Sequence, residues 1–120
     1  MSEADRAIGE ELAEWGKVIL LETRGRVSGR AVSTAVGFVE EPDGSLLVAA
    51  GDERTNWARN LLEEPRCQVT REGRTETCRA EPLTGAAHHS AVVSLILAYG
   101  TPAERLGAGP AFRLVPAEHA

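Results

Sequence analysis

The fold is decided by residues 18–50, which read VILLETRGRVSGRAVSTAVGFVEEPDGSLLVAA. Apolar and β-branched runs alternate here with two polar turns, a pattern that predicts strands joined by turns. In the second turn, Pro42 presets one backbone dihedral and Gly44 accepts a positive φ. We therefore expect the last two of the three strands to form a hairpin. The expected strands are Val18–Leu21, Ala31–Glu40 and Leu46–Ala50.

Three helices are expected around this stretch. Residues 2–15 predict an amphipathic N-terminal helix, capped by Ser2, with an apolar stripe at helical spacing. A short helix begins near Thr55 and ends before Pro65. Residues Thr84 to Tyr99 predict a longer helix. The apolar stripes are Ile8, Leu12 and Trp15 in the first helix, Trp57, Leu61 and Leu62 in the second, and Val92, Leu95, Ile96 and Tyr99 in the third.

A second hairpin is expected around Glu72 and Gly73, between strands Arg66–Arg71 and Arg74–Glu81. A two-residue loop pairs position 71 with 74, 69 with 76 and 67 with 78. This register places four small or apolar residues on one face, interrupted by Glu76. The four are Cys67, Val69, Cys78 and Ala80. A last strand, Phe112–Val115, completes the set.

Five or six strands of mostly antiparallel hairpin type, with helices between them, predict a mainly β, α+β fold: a small barrel with helices packed against it. A doubly wound parallel sheet would need regular alternation of strands and helices, which this chain lacks. A length of 120 residues fits one domain.

Composition narrows the classes of function. The formal net charge of −5 opposes nucleic acid as a partner, because proteins that bind the phosphate backbone usually carry a basic face. The acidic N-terminus is unlike a signal peptide, and no apolar run approaches the roughly 20 residues of a membrane span. Two cysteines are too few for a secreted disulfide framework, so we expect a cytoplasmic protein that has small core thiols rather than a redox pair. The adjacent residues His88 and His89 diverge on a helix, so we expect no metal site.

The turn from Glu22 to Arg30 is the first candidate site. Gly25 and Gly29 permit backbone conformations in which N–H groups converge on an anion. Three arginines, Arg24, Arg26 and Arg30, are spaced by even numbers of residues, and Ser28 adds a hydroxyl. The turn is therefore either a phosphate-binding loop or a solvent-exposed hairpin turn whose arginines confer solubility.

The second candidate is the short helix. Trp57 offers a flat apolar wall, and Arg59 and Asn60 offer hydrogen-bond donors on the same element. The alternative is that Trp57 is a core anchor, as tryptophan commonly is. Tyr99 is a candidate proton donor, or else one more apolar residue of its helix stripe.

Together these segments resemble the deazaflavin-dependent nitroreductase family of split β-barrel oxidoreductases. The resemblance covers about residues 18–116 and rests on two motifs at the expected separation. The motifs are Gly25-Arg26-x-Ser28-Gly29, followed by the pair Ser33-Thr34, and Asn56-Trp57-x-x-Asn60-Leu61, preceded by the strand end Val48-Ala49-Ala50-Gly51.

The resemblance implies coenzyme F420, a flavin-like ring with a phospholactyl-glutamate tail, as the cofactor. It implies hydride transfer to an enone, quinone or nitro compound. The barrel domain would span residues 16–116 and contain about six strands with two inserted helices. It would follow an N-terminal helix at residues 1–15 and precede a tail at 117–120. A homodimer is compatible with the resemblance. The resemblance implies two groups of cofactor-binding residues. Those for the phosphate and tail are Arg24, Arg26, Ser28, Gly29 and Arg30. Those that surround the rest of the cofactor, including its ring, are Ser33, Thr34, Ala49, Ala50, Gly51, Trp57, Arg59 and Asn60.

The chain departs from the family pattern in three ways. The loop before Trp57, residues 51–56, is short, and its two acids, Asp52 and Glu53, would lie near the anionic tail. Val27 stands where the family turn usually has a basic residue, and the tyrosine-rich substrate segment of the family is reduced to Tyr99. These departures keep two alternatives open. One is a divergent member without hydride transfer, either a protein that binds a cofactor or small molecule or a natural-product biosynthetic enzyme. The other is an FMN-binding oxidoreductase.

Overall fold

The computed structural model describes residues 18–99 and 108–117, which form seven strands and two helices. The predicted N-terminal helix at residues 2–15 and the end of the tail lie outside the described residues. The strands are β1 (Ile19–Arg24), β2 (Ala31–Val36), β3 (Val39–Glu40), β4 (Leu46–Ala49), β5 (Arg66–Arg71), β6 (Arg74–Leu83) and β7 (Ala111–Pro116). The helices are α1 (Asn56–Glu63) and α2 (Gly85–Tyr99).

All seven strands join one sheet, in the order β2-β1-β5-β6-β7-β4-β3, and every neighbouring pair is antiparallel. The two edge strands, β2 and β3, follow each other in the chain and are separated only by Gly37 and Phe38. The sheet must therefore curl until its edges approach each other, as in a barrel that is split between β2 and β3. The mostly antiparallel, barrel-like α+β fold is confirmed.

The number of strands was predicted incorrectly, because the single strand expected at Ala31–Glu40 is two. Its first part pairs with β1, and only Val39 and Glu40 pair with β4. The predicted hairpin between the second and third strands is thus limited to these two residue pairs. The chain breaks at Gly37, where the ring of Tyr99 lies 3.1 Å from the position that a β-carbon would occupy. A side chain at this position would force the ring to move.

The β5–β6 hairpin has the predicted register, with Arg71 opposite Arg74, Val69 opposite Glu76 and Cys67 opposite Cys78. Its two loop residues both have positive φ, 52° at Glu72 and 77° at Gly73, as a two-residue hairpin loop with the right twist requires. The four residues predicted to share a face are buried, and Glu76 is exposed.

Two apolar clusters lie on the two faces of the sheet at β4 and β7. The cluster inside the barrel includes Phe112, Leu21 and Leu61. The other cluster lies beneath α2 and includes Leu47 and Leu95. Both faces of β4 are covered, so all four of its residues are buried. Helix α1 contributes apolar side chains to the barrel interior beside β1, which brings it next to the Gly25–Arg30 turn.

Neither of the two described helices is long and apolar enough to cross a membrane.

Candidate functional site

The Gly25–Arg30 turn is closed by its own backbone. The N–H of Gly25 donates to the carbonyl of Arg30 at 2.7 Å, and the N–H of Gly29 donates to the carbonyl of Gly25 at 2.8 Å. Gly29 has a φ of 73°, which non-glycine residues rarely adopt. A β-carbon on Gly25 would lie 2.9 Å from Ser28 Oγ. The turn therefore requires Gly29 for its backbone conformation, and a side chain at Gly25 would force Ser28 Oγ and the Arg30 carbonyl, 3.1 Å away, to shift.

The side chain of Asn60 fastens the turn to helix α1. This side chain is only 2% exposed. Its Oδ1 accepts hydrogen bonds from the backbone N–H of Arg26 at 3.2 Å and from Arg26 Nη1 at 2.8 Å. Its Nδ2 donates to Thr23 Oγ1 at 3.0 Å, within the barrel. One amide thus holds the end of β1, the turn and the helix together.

The guanidinium group of Arg26 is directed at the first turn of α1. Besides Asn60, it donates to the carbonyl of Asn56 at 3.5 Å and, through Nη2, to Asn56 Oδ1 at 3.2 Å. Because these contacts lie within the protein, Arg26 holds the turn against helix α1. The sequence predicted it as a phosphate ligand, and direct contact with a phosphate stays a prediction.

The donors that remain for a ligand are fewer than the sequence predicted. Four backbone N–H groups of the turn, those of Gly25, Arg26, Gly29 and Arg30, already donate within the protein, the last to Ser28 Oγ at 3.2 Å. Among the described residues, nothing accepts a hydrogen bond from the N–H groups of Val27 and Ser28 or from the Arg30 guanidinium. Arg24 uses Nη1 to bond the carbonyl of Gly29 at 2.8 Å and keeps its other N–H groups. An anion can therefore be held by two consecutive amides and two arginines.

A cavity of about 160 Å³ adjoins the turn. Arg24 and Ala31 form its side nearest the turn, and Arg66 lies on the side formed by β5. None of residues 25–30 lines this cavity, so the hypothesis that these residues form an anion pocket beside a groove wide enough for a ring stays a prediction. Its lining residues are Glu22, Thr23, Arg24, Ala31, Glu64, Arg66, Cys67 and Gln68.

The strand end predicted to border the cofactor ring is mostly buried. Ala49 lies beneath α2, and Ala50 lies in the barrel core and donates its N–H to the carbonyl of Pro110 at 2.8 Å. Only Gly51 is exposed, at the start of the loop to α1. Contact of these residues with a ring would therefore be limited to backbone atoms and Gly51.

The remaining residues predicted to bind the cofactor differ in their surroundings. Trp57 is 8% exposed and packs in the barrel core, with its ring centroid 6.1 Å from that of Phe112. Arg59 is exposed on α1, and Ser33 and Thr34 are half-buried on β2. The core position of Trp57 fits its structural alternative; its contact with a cofactor stays a prediction.

Tyr99 lies at the split of the barrel rather than beside the turn. Its hydroxyl donates to the carbonyl of Phe38 at 3.1 Å and accepts from the N–H of Phe38 at 2.9 Å. Strand β2 runs from the turn to this point, and its five residue steps span about 17 Å. The structure does not bring Tyr99 to the turn, and its role as a proton donor stays a prediction.

The two cysteines are buried, are not joined in a disulfide, and lie opposite each other across the β5–β6 hairpin. Burial, and secondarily the neighbouring Cys78, raises the pKa of the Cys67 thiol to about 12. Cys67 is thus a protonated core residue at neutral pH. Within residues 18–99 and 108–117, no group of three or more histidine, cysteine or acidic side chains is arranged to hold a metal ion.

Sequence reasoning missed Thr23 and Asn56, the partners of Asn60 and Arg26. Thr23 had a signal, because it continues the alternation of Ile19 and Leu21, the inward-facing residues of β1. A threonine at an inward position needs a buried partner. Asn56 stood in the second motif but was given no contact, because no local pattern indicates that it meets Arg26.

The family model described as F420H2-dependent quinone reductase matches residues 1–101. No curated protein matches the sequence. Among solved structures, an F420-H2 dependent reductase called FDR-A is 23% identical, covers 82% of this chain and 93% of its own, and has a TM-score of 0.70.

Two further structures show the same fold. The heme storage protein HutZ from Vibrio cholerae is 18% identical, with coverage of 93% of this chain and 89% of its own and a TM-score of 0.68. A structure described as a domain-swapped dimer is 23% identical, with coverage of 94% and 99% and a TM-score of 0.68. At these identities the likeness concerns the fold alone.

Proposed function

Because the chain belongs to the F420H2-dependent quinone reductase family, we propose that it binds coenzyme F420 at the Gly25–Arg30 turn and transfers a hydride from the reduced coenzyme to an activated small molecule. The observation that carries the proposal is the Asn60 side chain, which joins the two motifs of the predicted cofactor site into one rigid unit. A preorganised turn loses little conformational entropy when it takes up a ligand.

The coenzyme phosphate would be held by the N–H groups of Val27 and Ser28 and by the guanidinium of Arg30. Hydrogen bonds to charged groups contribute about 1.5–3 kcal/mol each, so this set is sufficient to fix a phosphodiester. Arg24, on the side of the small cavity, would meet the part of the tail beyond the phosphate.

When bound, the reduced deazaflavin supplies the hydride. The protein orients the ring against the acceptor and excludes water. In this proposal, Gly51 and the face of α1 that carries Arg59, both exposed, would border the ring. The proposed acceptors are enones, quinones and nitro compounds.

A second candidate function is binding without hydride transfer. Val27 is 93% exposed where the family usually has a basic residue, so the turn provides one phosphate contact fewer. The Tyr99 hydroxyl is engaged by the Phe38 backbone. Both features suit a member that holds a ligand and does no redox chemistry. An FMN-binding protein is a third candidate, and visible yellow colour after purification would favour it.

The test is anaerobic turnover of the reduced coenzyme with menadione, 2-cyclohexenone and a nitroimidazole. We expect acceptor-dependent return of the absorbance of the oxidised coenzyme. We expect Arg30→Gln to slow it, whereas Arg54→Gln, on an exposed loop, serves as a matched charge control. Binding of the coenzyme without oxidation by any acceptor would favour the second candidate.

We also propose that the protein is a homodimer. Helix α2 carries the exposed apolar residues Val93 and Leu97 one turn apart, on the side away from the sheet. Multi-angle light scattering would give twice the chain mass, and a monomeric mass at micromolar concentration would reject the dimer.

A further inference from the structure

The loop of residues 50–55, which joins β4 to α1, lies directly against the segment that leads into β7. The N–H of Ala50 donates to the carbonyl of Pro110 at 2.8 Å. A β-carbon on Gly109 would lie 2.5 Å from the carbonyl oxygen of Ala50 and 2.8 Å from the backbone nitrogen of Asp52. The two backbones therefore touch with no side chain between them, so any shift of Gly109 must also shift the loop.

The side chain of His88 holds Gly109 from helix α2. Its Nε2 lies 2.8 Å from the carbonyl oxygen of Gly109. A carbonyl oxygen only accepts hydrogen bonds, so Nε2 carries the hydrogen and the imidazole is the donor. His88 is half-buried near the beginning of α2, and Ala91 and Leu95 of the same helix pack in the apolar cluster against the sheet. His88 thus ties the segment before β7 to a helix that is itself held by the sheet.

The same loop sets the position of the start of helix α1. The N–H of Thr55 donates to the carbonyl of Asp52 at 3.1 Å, and the N–H of Arg54 donates to Asp52 Oδ1 at 2.6 Å. The helix follows at once, because the carbonyl of Thr55 accepts from the N–H of Arg59 at 3.1 Å. These hydrogen bonds keep the loop compact, so a displacement at Gly51 is passed on to the first turn of α1.

We infer that His88 is a positioning residue for the deazaflavin ring. This inference rests on the proposed function, which places the ring beside Gly51 and α1. The contacts run from His88 to Gly109, from Gly109 to the loop, and through the loop to Gly51 and α1. His88 therefore acts through the backbone of the loop rather than by contact with the coenzyme.

The expected effect of His88 is on hydride transfer rather than on affinity. In the proposed function, the charged contacts with the coenzyme are made at the Gly25–Arg30 turn. The loop contributes the position of the ring, and a misplacement of about 1 Å can slow a reaction about a hundredfold. A loosened loop should therefore slow hydride transfer and leave the affinity for the coenzyme nearly unchanged.

The test compares His88→Gln with His88→Asn. The glutamine amide presents an N–H donor as many bonds from the backbone as Nε2, whereas the donor of asparagine is one bond nearer to the backbone and falls short of Gly109. Both replacements are neutral amides that differ by one methylene, so they match each other in chemistry. His89→Asn, at the exposed neighbouring position, is the control for the change of residue type.

Three properties are measured in the wild type and in each variant. The first is the rate at which the bound reduced coenzyme is oxidised by menadione in a single turnover. The second is the affinity for the oxidised coenzyme, from its fluorescence. The third needs no coenzyme: hydrogen exchange of the Ala50 amide, relative to the amides of β1, reports how firmly the loop is held against Pro110.

We expect His88→Asn to transfer hydride about tenfold to a hundredfold more slowly than the wild type, with unchanged affinity and faster exchange of the Ala50 amide. The glutamine variant keeps the donor and should retain most of the wild-type rate and protection. His89→Asn should match the wild type in all three measurements.

An equal rate of hydride transfer in His88→Asn and the wild type would overturn the inference and leave the proposed function standing, even if that variant is less stable to denaturant. His88 would then support the fold alone. Equal slowing in His88→Asn and His88→Gln would also overturn it, because the retained donor would have no effect. If the wild type binds no coenzyme or transfers no hydride, the proposed function fails and the inference fails with it.

Discussion

The buried amide oxygen of Asn60 accepts hydrogen bonds from both the backbone N–H and the guanidinium of Arg26, 34 residues away in the chain. A glycine-rich turn and a short helix therefore behave as one structural unit. The geometry of the donors at Val27, Ser28 and Arg30, which we propose to hold the ligand, therefore depends on a buried residue of α1 whose own contact with the coenzyme stays a prediction.

Replacing Asn60 by leucine should destabilise the protein. The change keeps the number and branching of the side-chain heavy atoms but leaves the Thr23 hydroxyl and the Arg26 N–H without partners, which predicts a loss of about 1–3 kcal/mol in the free energy of unfolding. Chemical denaturation measures it. Arg59→Ala, on the exposed side of the same helix, should change stability by less than about 0.5 kcal/mol. Equal stability of Asn60→Leu and the wild type would contradict the role given to Asn60.

Replacing Val27 by lysine should strengthen coenzyme binding. The side chain is 93% exposed, so the change adds a charge beside the proposed phosphate site without disturbing packing. An exposed ion pair predicts a gain in affinity of about twofold to fivefold at low salt. Val27→Gln controls for polarity without charge. A lysine variant that binds no better than the glutamine variant would place the phosphate away from this turn.

Replacing Tyr99 by phenylalanine should weaken the closure of the barrel. The variant loses both hydrogen bonds to Phe38, and because Tyr99 is 40% exposed we expect a loss of only about 1 kcal/mol in the free energy of unfolding. Hydrogen exchange of the Phe38 amide should accelerate relative to the amides of β1. Unchanged protection of the Phe38 amide would show that the barrel closes at the split between β2 and β3 without the Tyr99 hydroxyl.

The Cys67 thiol predicts a loss of stability in alkali. Its pKa is raised from 9.0 to about 12 in the folded protein, so above pH 9 the unfolded chain has released a proton that the folded protein retains. The free energy of unfolding then falls as pH rises, by up to about 1.4 kcal/mol per pH unit. Denaturation at pH 8 and about pH 10.5 measures this, and Cys67→Ala should remove that part of the slope. If the free energy of unfolding falls equally with pH in the wild type and in Cys67→Ala, the raised pKa of the Cys67 thiol is refuted.

The sequence was most informative where local chemistry determines geometry. The hairpin at Glu72 and Gly73 has the predicted register because a two-residue loop fixes which residues pair. The family and its cofactor were also recognisable from the two motifs, and the family match confirms them.

Contacts between residues far apart in the chain were harder to predict from the sequence. The break at Gly37 depends on Tyr99, 62 positions further along the chain, and no local pattern between Ala31 and Glu40 announces it. The role of Arg26 likewise depends on helix α1, which begins 30 residues later in the chain. A sequence shows that an arginine is present, but only the tertiary structure shows how many of its donors are already used.

The most direct test of the central claim is a titration of oxidised coenzyme F420 against the wild type and Arg30→Gln, followed by the fluorescence of the coenzyme. We expect saturable binding to the wild type and weaker binding to the variant, by about tenfold for the loss of one charged hydrogen bond. Absence of binding to the wild type at micromolar protein, or equal affinity of the two proteins, would contradict the claim that this turn holds the coenzyme's anionic tail.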